Sequence, residues 1–256
     1  NGQKDLNYLL NEFNKYEYVL TFTSRGKIKI NICIDGQREI PENKEDTSKY
    51  VGVDVNIKHN LFTLSDSKMF DYDRKLVDEI AEELLKIDEL KKNPDYKVGK
   101  KKQRKLDSMN QALRHSNERL ISDVCKYMVD RGYQHAIFED LNNSFGKNWA
   151  VKGDIKTNRK ASLLNLSSLK DEFEHRSRKY GIAFSTVHPE YTSKGCSKCG
   201  CIDDNNRLSQ EEFKCVRCGY TANADENSAE NIKNRAILTV LRDLLKHDAV
   251  LQTFSP

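Results

Sequence analysis

Two sets of side chains in this sequence carry obvious chemistry: four thiols in two tight pairs, and three acids in places ill-suited to charge. Cys196, Cys199, Cys215 and Cys218 fall as C-x2-C-x15-C-x2-C. Four thiolates on two tight turns match a closed, tetrahedral zinc site, and a glycine (Gly200, Gly219) follows each pair, as the close backbone approach of such turns requires. Four sulfurs leave no coordination position for water, so the expected zinc is structural, one per chain, and its binding contributes to local folding. Cys201 lies beside the pairs, which suffice without it. Cys33 and Cys125 sit among apolar residues and read as core fillers. Cysteine used in this way points to metal and a reducing compartment rather than to disulfides. Of the acids, Asp54 stands inside the apolar run VGVDV, Glu139 closes the apolar run HAIF, and Asp225 lies seven residues beyond the last cysteine, where a helix is expected to start. Burying a lone carboxylate among apolar groups costs several kcal/mol, on the order of the cost of an unpaired charge. Singly, each acid has a plain structural explanation: Asp54 pairing with Lys58, Glu139 ending a strand, Asp225 capping a helix and suiting its dipole.

The elements that must position these residues follow from periodicity. YVLTFTSRGKIKINICID (18–35) reads as a β-hairpin with its turn at Ser24-Arg25-Gly26, and the polar stretch 38–48, which contains Pro41, as a linker. Strands are expected at 50–56, 60–66 and 68–73. Leu76, Ile80, Leu84 and Ile87 give a helix over 74–92 that Pro94 breaks, and a second helix over about 100–131 ends at Gly132. A buried strand over 135–140, a polar basic loop over 141–161, a helix over 162–180, a strand over 182–187, the cysteine segment and a last helix over about 226–246 complete the chain. The order after residue 49, β-β-β-α-(α)-β-α-β-insert-α, is that of the ribonuclease H fold: an α/β mixed sheet flanked by helices, here with one helix added and a cysteine-rich insertion. The expected division is 1–48 as the end of an N-terminal β domain with its linker, 49–189 as the first part of the α/β domain, 190–222 as the metal-binding insert, and 223–256 as the last helix and tail.

In that fold the first and fourth strands of the α/β domain are neighbours, and the last helix packs on the sheet. Asp54, Glu139 and Asp225 then converge near the strand ends. Three carboxylates there repel one another unless cations fill the gap, and hard divalent cations with oxygen ligands, Mg2+ or Mn2+, fit that need. Two such ions about 4 Å apart stabilise both the attacking water and the leaving oxygen of a phosphodiester.

The chain has 256 residues, 32% of them charged, with a net charge of only +4. Its distribution says more than its total. Residues 35–48 and 71–90 are acidic, 91–119 hold ten Lys/Arg against three Asp/Glu, and 142–180 hold nine against four. Such blocks suggest either a localised polyanion-binding face or solvated helix faces. Lys100, Lys101, Lys102, Arg104 and Lys105, within KVGKKKQRK, are candidate contacts to a nucleic-acid backbone. The loop after Glu139 offers Lys147, Lys152, Lys156, Arg159 and Lys160, with Phe145 and Trp149 as stacking groups or as anchors packed under the loop. His188, before Pro189, reads as a strand-end residue. No apolar run is long enough for a membrane span. The chain opens at Asn1 in mid-pattern, and a longer protein is expected.

GVDVNIKHNLFTLS, AIFEDLN and CSKCGCIDDNNR…FKCVRCGYTANADENSAENI resemble the three RuvC motifs and zinc ribbon of the TnpB family, transposon-encoded RNA-guided nucleases related to the compact type V CRISPR effectors. The resemblance covers about residues 50–240. It implies that Asp54, Glu139 and Asp225 are the metal-binding acids of a Mg-dependent endonuclease, that the partners are guide RNA and target DNA, and that the setting is the prokaryotic cytoplasm. Arg207 matches an arginine that assists cleavage in some relatives. The small residue usual after GVDV is here Asn56, and Asn-Ile-Lys-His is closer to the CRISPR branch. The family's RNA-gripping, DNA-reading N-terminal half is nearly all missing; the hairpin resembles its last piece, and the loop after Glu139 falls where the family has a lid. The alternative is an RNA-guided DNA-binding protein that silences without cutting. A transposase acting directly in strand exchange finds no suited tyrosine, serine or histidine site.

Overall fold

A computed structural model describes residues 16–22, 28–34, 46–58, 60–140, 155–209 and 211–253. Its centre is β3 (Tyr50–Val55), whose first four residues are all buried, as expected of a strand covered on both faces. β3 pairs antiparallel with β4 (Phe62–Leu64), which pairs antiparallel with β5 (Met69–Phe70). On its other side β3 runs parallel to β6 (His135–Glu139), and β6 runs parallel to β7 (Ala183–Val187). The mixed five-stranded sheet therefore has the order β5-β4-β3-β6-β7.

Parallel neighbours need crossovers, and here these are helical. α1 (Arg74–Leu90) and α2 (Lys100–Asp130) lie between β5 and β6; α3 (Ile155–Leu164) and α4 (Leu166–Lys179) lie between β6 and β7. Asp73 caps α1 by accepting from the Leu76 N–H at 3.0 Å. The expected basic loop over 141–161 is helical from Ile155, and the expected helix over 162–180 is two helices, broken at Asn165. Asn165 adopts φ 42°, a left-handed conformation that asparagine tolerates better than most residues, and its side chain accepts from the Ser168 N–H. Residues 141–154, including Phe145, Lys147, Trp149 and Lys152, lie outside the described residues.

The two faces of the sheet have separate cores. Val51, Val53, Phe62, Ala136 and Phe138 pack with Val77 and Ile80 of α1, Ile121, Val124 and Met128 of α2, and Phe173 of α4. The opposite face carries Tyr50, Ile137 and Val187, covered by Ile232 and Ala236 of α5 (Ala224–Thr253), a helix longer than the expected 226–246. At Gly52 this helix lies directly on the strand: a Cβ there would stand 2.0 Å from the Ala229 carbonyl oxygen. Only glycine permits that approach.

β1 (Tyr16–Phe22) and β2 (Ile28–Ile34) form the expected antiparallel hairpin, with Tyr16 opposite Ile34 and Phe22 opposite Ile28. Its turn at 24–26 and linker residues 38–45 lie outside the described residues. β8 (Glu212–Lys214) and β9 (Thr221–Asn223) form a small antiparallel pair within the cysteine segment. Among the described residues no helix is long and apolar enough to cross a membrane.

Candidate active site and metal centre

Strand alternation decides where the acids point. Side chains two apart share a face, so Asp54 lies on the Gly52 side of the sheet and Glu139 on the Ile137 side, both towards α5. The β3–β6 register ends at Val53 opposite Phe138; one further step sets Asp54 beside Glu139. Asp225 enters from the first turn of α5 and is buried. Asp54 has a carboxyl pushed well above the usual range, first by burial and then by the nearby charges of Glu139 and Asp225, against a single opposing influence from Arg207. Burial also raises Glu139, opposed by the Thr192 hydroxyl and by Arg235 and Arg207. The topology thus brings the three sequence-predicted acids to one sheet end.

Asp225 does not cap its helix. Asn223 does, its Oδ1 accepting from the N–H groups of Asp225 at 2.9 Å and Glu226 at 3.3 Å. The Asp225 carboxylate is free to face the sheet, where Asn56 Nδ2 donates to Oδ1 at 3.0 Å and to Oδ2 at 2.9 Å. Arg207 approaches Oδ1 at 3.4 Å. Sequence reasoning noticed Asn56 only as a departure from a pattern and missed Thr192, which donates to Glu139. Cross-strand from Asp54 lies Thr63, whose hydroxyl is buried without a hydrogen-bond partner.

The four cysteines come together as their spacing predicts. Their sulfurs all lie within 4.8 Å of one another, with Cys196–Cys218 at 3.7 Å and Cys199–Cys215 at 3.5 Å. A tetrahedron with Zn–S of about 2.3 Å has edges of about 3.8 Å, so the set fits zinc. Each pair is a tight turn: the N–H groups of Gly200 and Gly219 donate to the carbonyls of Cys196 and Cys215, and both glycines have φ near +70°. The N–H groups of Cys218 and Arg217 lower the Cys215 thiol to about 6. Cys201 packs beside the group without belonging to it, and Cys125 is a buried core thiol pushed by burial up to about 12. The three acids interact through space, but their oxygens do not all come as close to one another as the four sulfurs do.

Asparagines tie the cysteine segment to the acids. Buried Asn206 donates to the carbonyls of Lys194 and Cys201 and accepts from the Val216 N–H, joining the two turns and presenting Arg207. On α5, Asn227 donates to the Gly195 carbonyl at 2.8 Å and accepts from the Ser197 N–H at 3.0 Å. One helical turn later, Asn231 donates to the carbonyls of Thr192 and Gly195. Their i, i+4 spacing was the readable signal of a shared gripping face.

The basic residues divide. Lys100, Lys101, Arg104 and Lys105 are exposed on the first turns of α2, whereas Lys102 is half-buried and 3.4 Å from Glu83. Lys156, Arg159 and Lys160 of α3 instead face α1, paired with Glu82, Asp88 and Asp78 respectively. A nucleic-acid role for these three requires them to exchange partners.

Residues 167–232 match the family model described as Cas12f1-like, TNB domain. The chain is 30% identical over 148 residues to the CRISPR-associated endodeoxyribonuclease Cas12f1 of Sulfoacidibacillus thermotolerans, a match covering 56% of this chain and 31% of that protein. It is 26% identical over 229 residues to the TnpB-like protein aq_aa05 of Aquifex aeolicus, covering 81% of this chain and 74% of that protein. A solved structure of a Cas12f1–sgRNA–target DNA complex matches with a TM-score of 0.48 and 16% identity, over 86% of this chain and 65% of that one. The match thus spans less than a third of the length of the Cas12f1 relative. The resemblance carried by the acid motifs and the cysteine-to-asparagine tail holds: the chain is similar to TnpB-like proteins and compact type V CRISPR effectors.

Proposed function

We propose that this chain is the nuclease part of an RNA-guided DNA endonuclease, with a ribonuclease H-like (RuvC-type) fold, and that it hydrolyses DNA phosphodiesters at Asp54, Glu139 and Asp225 with Mg2+ or Mn2+. The convergence of these acids from β3, β6 and α5 carries the reading. The donor set fits a hard divalent cation, being all oxygen and short of positive charge. Asp54 and Glu139 both resist ionisation, and the unpartnered Thr63 hydroxyl adds a polar group on the same face. A divalent cation bound there supplies positive charge to the attacking water and the leaving oxygen. Asp54 and Glu139 offer adjacent carboxylates on neighbouring strands, and Thr192 orients Glu139. Arg207 brings a guanidinium to the edge of the site, where it can meet a phosphate.

The names of the relatives support this kind of activity, and Cas12f1 has been solved with guide RNA and target DNA; the same partners are proposed here. The exposed cations of α2 are proposed to contact nucleic-acid backbone. Residues 190–222 are proposed to be a zinc ribbon holding one structural zinc, and the β1–β2 hairpin to be the last piece of an RNA-gripping domain. The test is cleavage of target DNA in Mg2+ by full-length protein purified with co-expressed guide RNA, beside Asp54→Ala. Products from the wild type alone support the assignment. Target binding with no products from either protein supports a silent RNA-guided binder, and cutting that survives in Asp54→Ala removes these acids from the reaction.

A further inference from the structure

Asn56 stands two residues past Asp54, just beyond the end of β3, and it is buried. Its orientation is fixed twice over. The Oδ1 accepts from the Lys58 N–H at 2.9 Å, so the amide NH2 must point the other way, and there it straddles both oxygens of Asp225. Its own backbone N–H donates to the Leu61 carbonyl at 3.1 Å, which holds the strand end in place. Asp225 also has a charged partner, Arg207 of the cysteine segment, at 3.4 Å. Asn56, two residues past Asp54, holds both Asp225 oxygens at the end of the strand that carries Asp54. A carboxylate has about four lone-pair directions, so the Asn56 bonds leave Asp225 with capacity for a cation. A second observation marks the same face as a ligand site: the Thr63 hydroxyl, 0% exposed and cross-strand from Asp54, has no hydrogen-bond partner.

We propose that Asn56 is the positioning residue of the divalent-cation site, aligning the Asp225 carboxylate with Asp54 and so setting the cation affinity. The inference rests on the cation-dependent reading above and goes beyond it in naming what holds the third acid. Partners that orient a metal ligand typically contribute 10–100-fold in metal affinity.

The test is Mn2+ titration of the zinc-loaded chain, with free Mn2+ followed by electron paramagnetic resonance and unfolding followed by a thermal melt. Asn56→Ala removes both roles of the side chain. Asn56→Ser keeps a hydroxyl that can accept from the Lys58 N–H, as serine does in such turns, but cannot reach Asp225. Both are expected to raise the Mn2+ Kd about tenfold, with the melt of Asn56→Ser near that of the wild type. On an Asp225→Asn background, Asn56→Ala is expected to change the Kd by less than about twofold, because the two residues then act as one unit. Wild-type affinity in Asn56→Ser, or a full additional loss on the Asp225→Asn background, overturns the inference while leaving the cation site standing. A wild-type chain that binds no Mn2+, or binds it equally well as Asp54→Ala, overturns the cation-dependent reading and this inference with it.

Discussion

Asp54 and Glu139 are held where ionisation is costly, and the consequence is a pH dependence of defined sign. A carboxyl raised in the native state keeps its proton there to higher pH than in the unfolded chain. Stability therefore falls as pH rises from the ordinary values, 3.8 for Asp and 4.5 for Glu, through the raised ones, and the loss is complete above them. With zinc retained and no Mg2+ or Mn2+ added, the melting temperature of the wild type is expected to fall as pH rises above about 4. Asp54→Asn is expected to flatten that fall, raise the melting temperature at neutral pH and abolish cleavage; thermal melts across pH check the first two. A fall of equal size in both proteins counts against the burial argument. At this scale the sequence was partly legible. An acid inside VGVDV or closing HAIF is conspicuous because its surroundings are apolar. Asn56, Thr192 and Asn206 were not, because a polar residue beside a turn looks the same in sequence whether it faces solvent or a buried carboxylate 169 positions away, as Asn56 faces Asp225.

The elements meet at two places where substitution has a clear outcome. Gly52→Ala puts a methyl group into the Ala229 carbonyl of α5, and backbone cannot step aside as a flexible side chain can. We expect a destabilisation of about 3 kcal/mol, measured by denaturant unfolding. The cysteine segment is the second place. Zinc analysis is expected to give about one equivalent per chain, lost in Cys215→Ser, with faster amide exchange spreading from 196–218 into the first turns of α5 through Asn227 and Asn231. The cysteine spacing made the four sulfurs legible in advance, since four thiols on two turns have few other arrangements. The break at Asn165 and the early start of α3 were not legible. Asn165 reads as an ordinary helix position until its left-handed backbone is seen, and the basic run from Lys156 to Lys160 reads as loop until the acids of α1 are set opposite it.

Over the whole molecule, strand order and crossovers followed from the succession of strands and helices, because parallel strands and helical connections leave few alternatives. Charge distribution did not yield so simply. Two blocks that read separately, acidic 71–90 and basic 142–180, partly neutralise each other across α1 and α3. Pairs this exposed stabilise by about 0–1 kcal/mol each, so the combined Asp78→Asn, Glu82→Gln, Asp88→Asn chain is expected to fold. If the proposed nucleic-acid role holds, it releases three cations to bind phosphate. Single-stranded DNA binding followed against salt is then expected to tighten, with a log–log slope steeper by about 2, near the value for three added contacts. An unchanged slope confines these residues to holding α3 on α1.

The last helix grips the loop 192–197 through Asn227 and Asn231 and lies on bare backbone at Gly52. These contacts couple it to the loop and to the strand at once. An electrophile that captured Cys199 or Cys215 would therefore be felt by two oxyacids it never touches, Glu139 by way of Thr192 and Asp225 by way of Arg207. Under the proposed cation-dependent activity, soft-sulfur poisons would silence hard-oxygen chemistry at a distance, through these side-chain links rather than a blocked entrance.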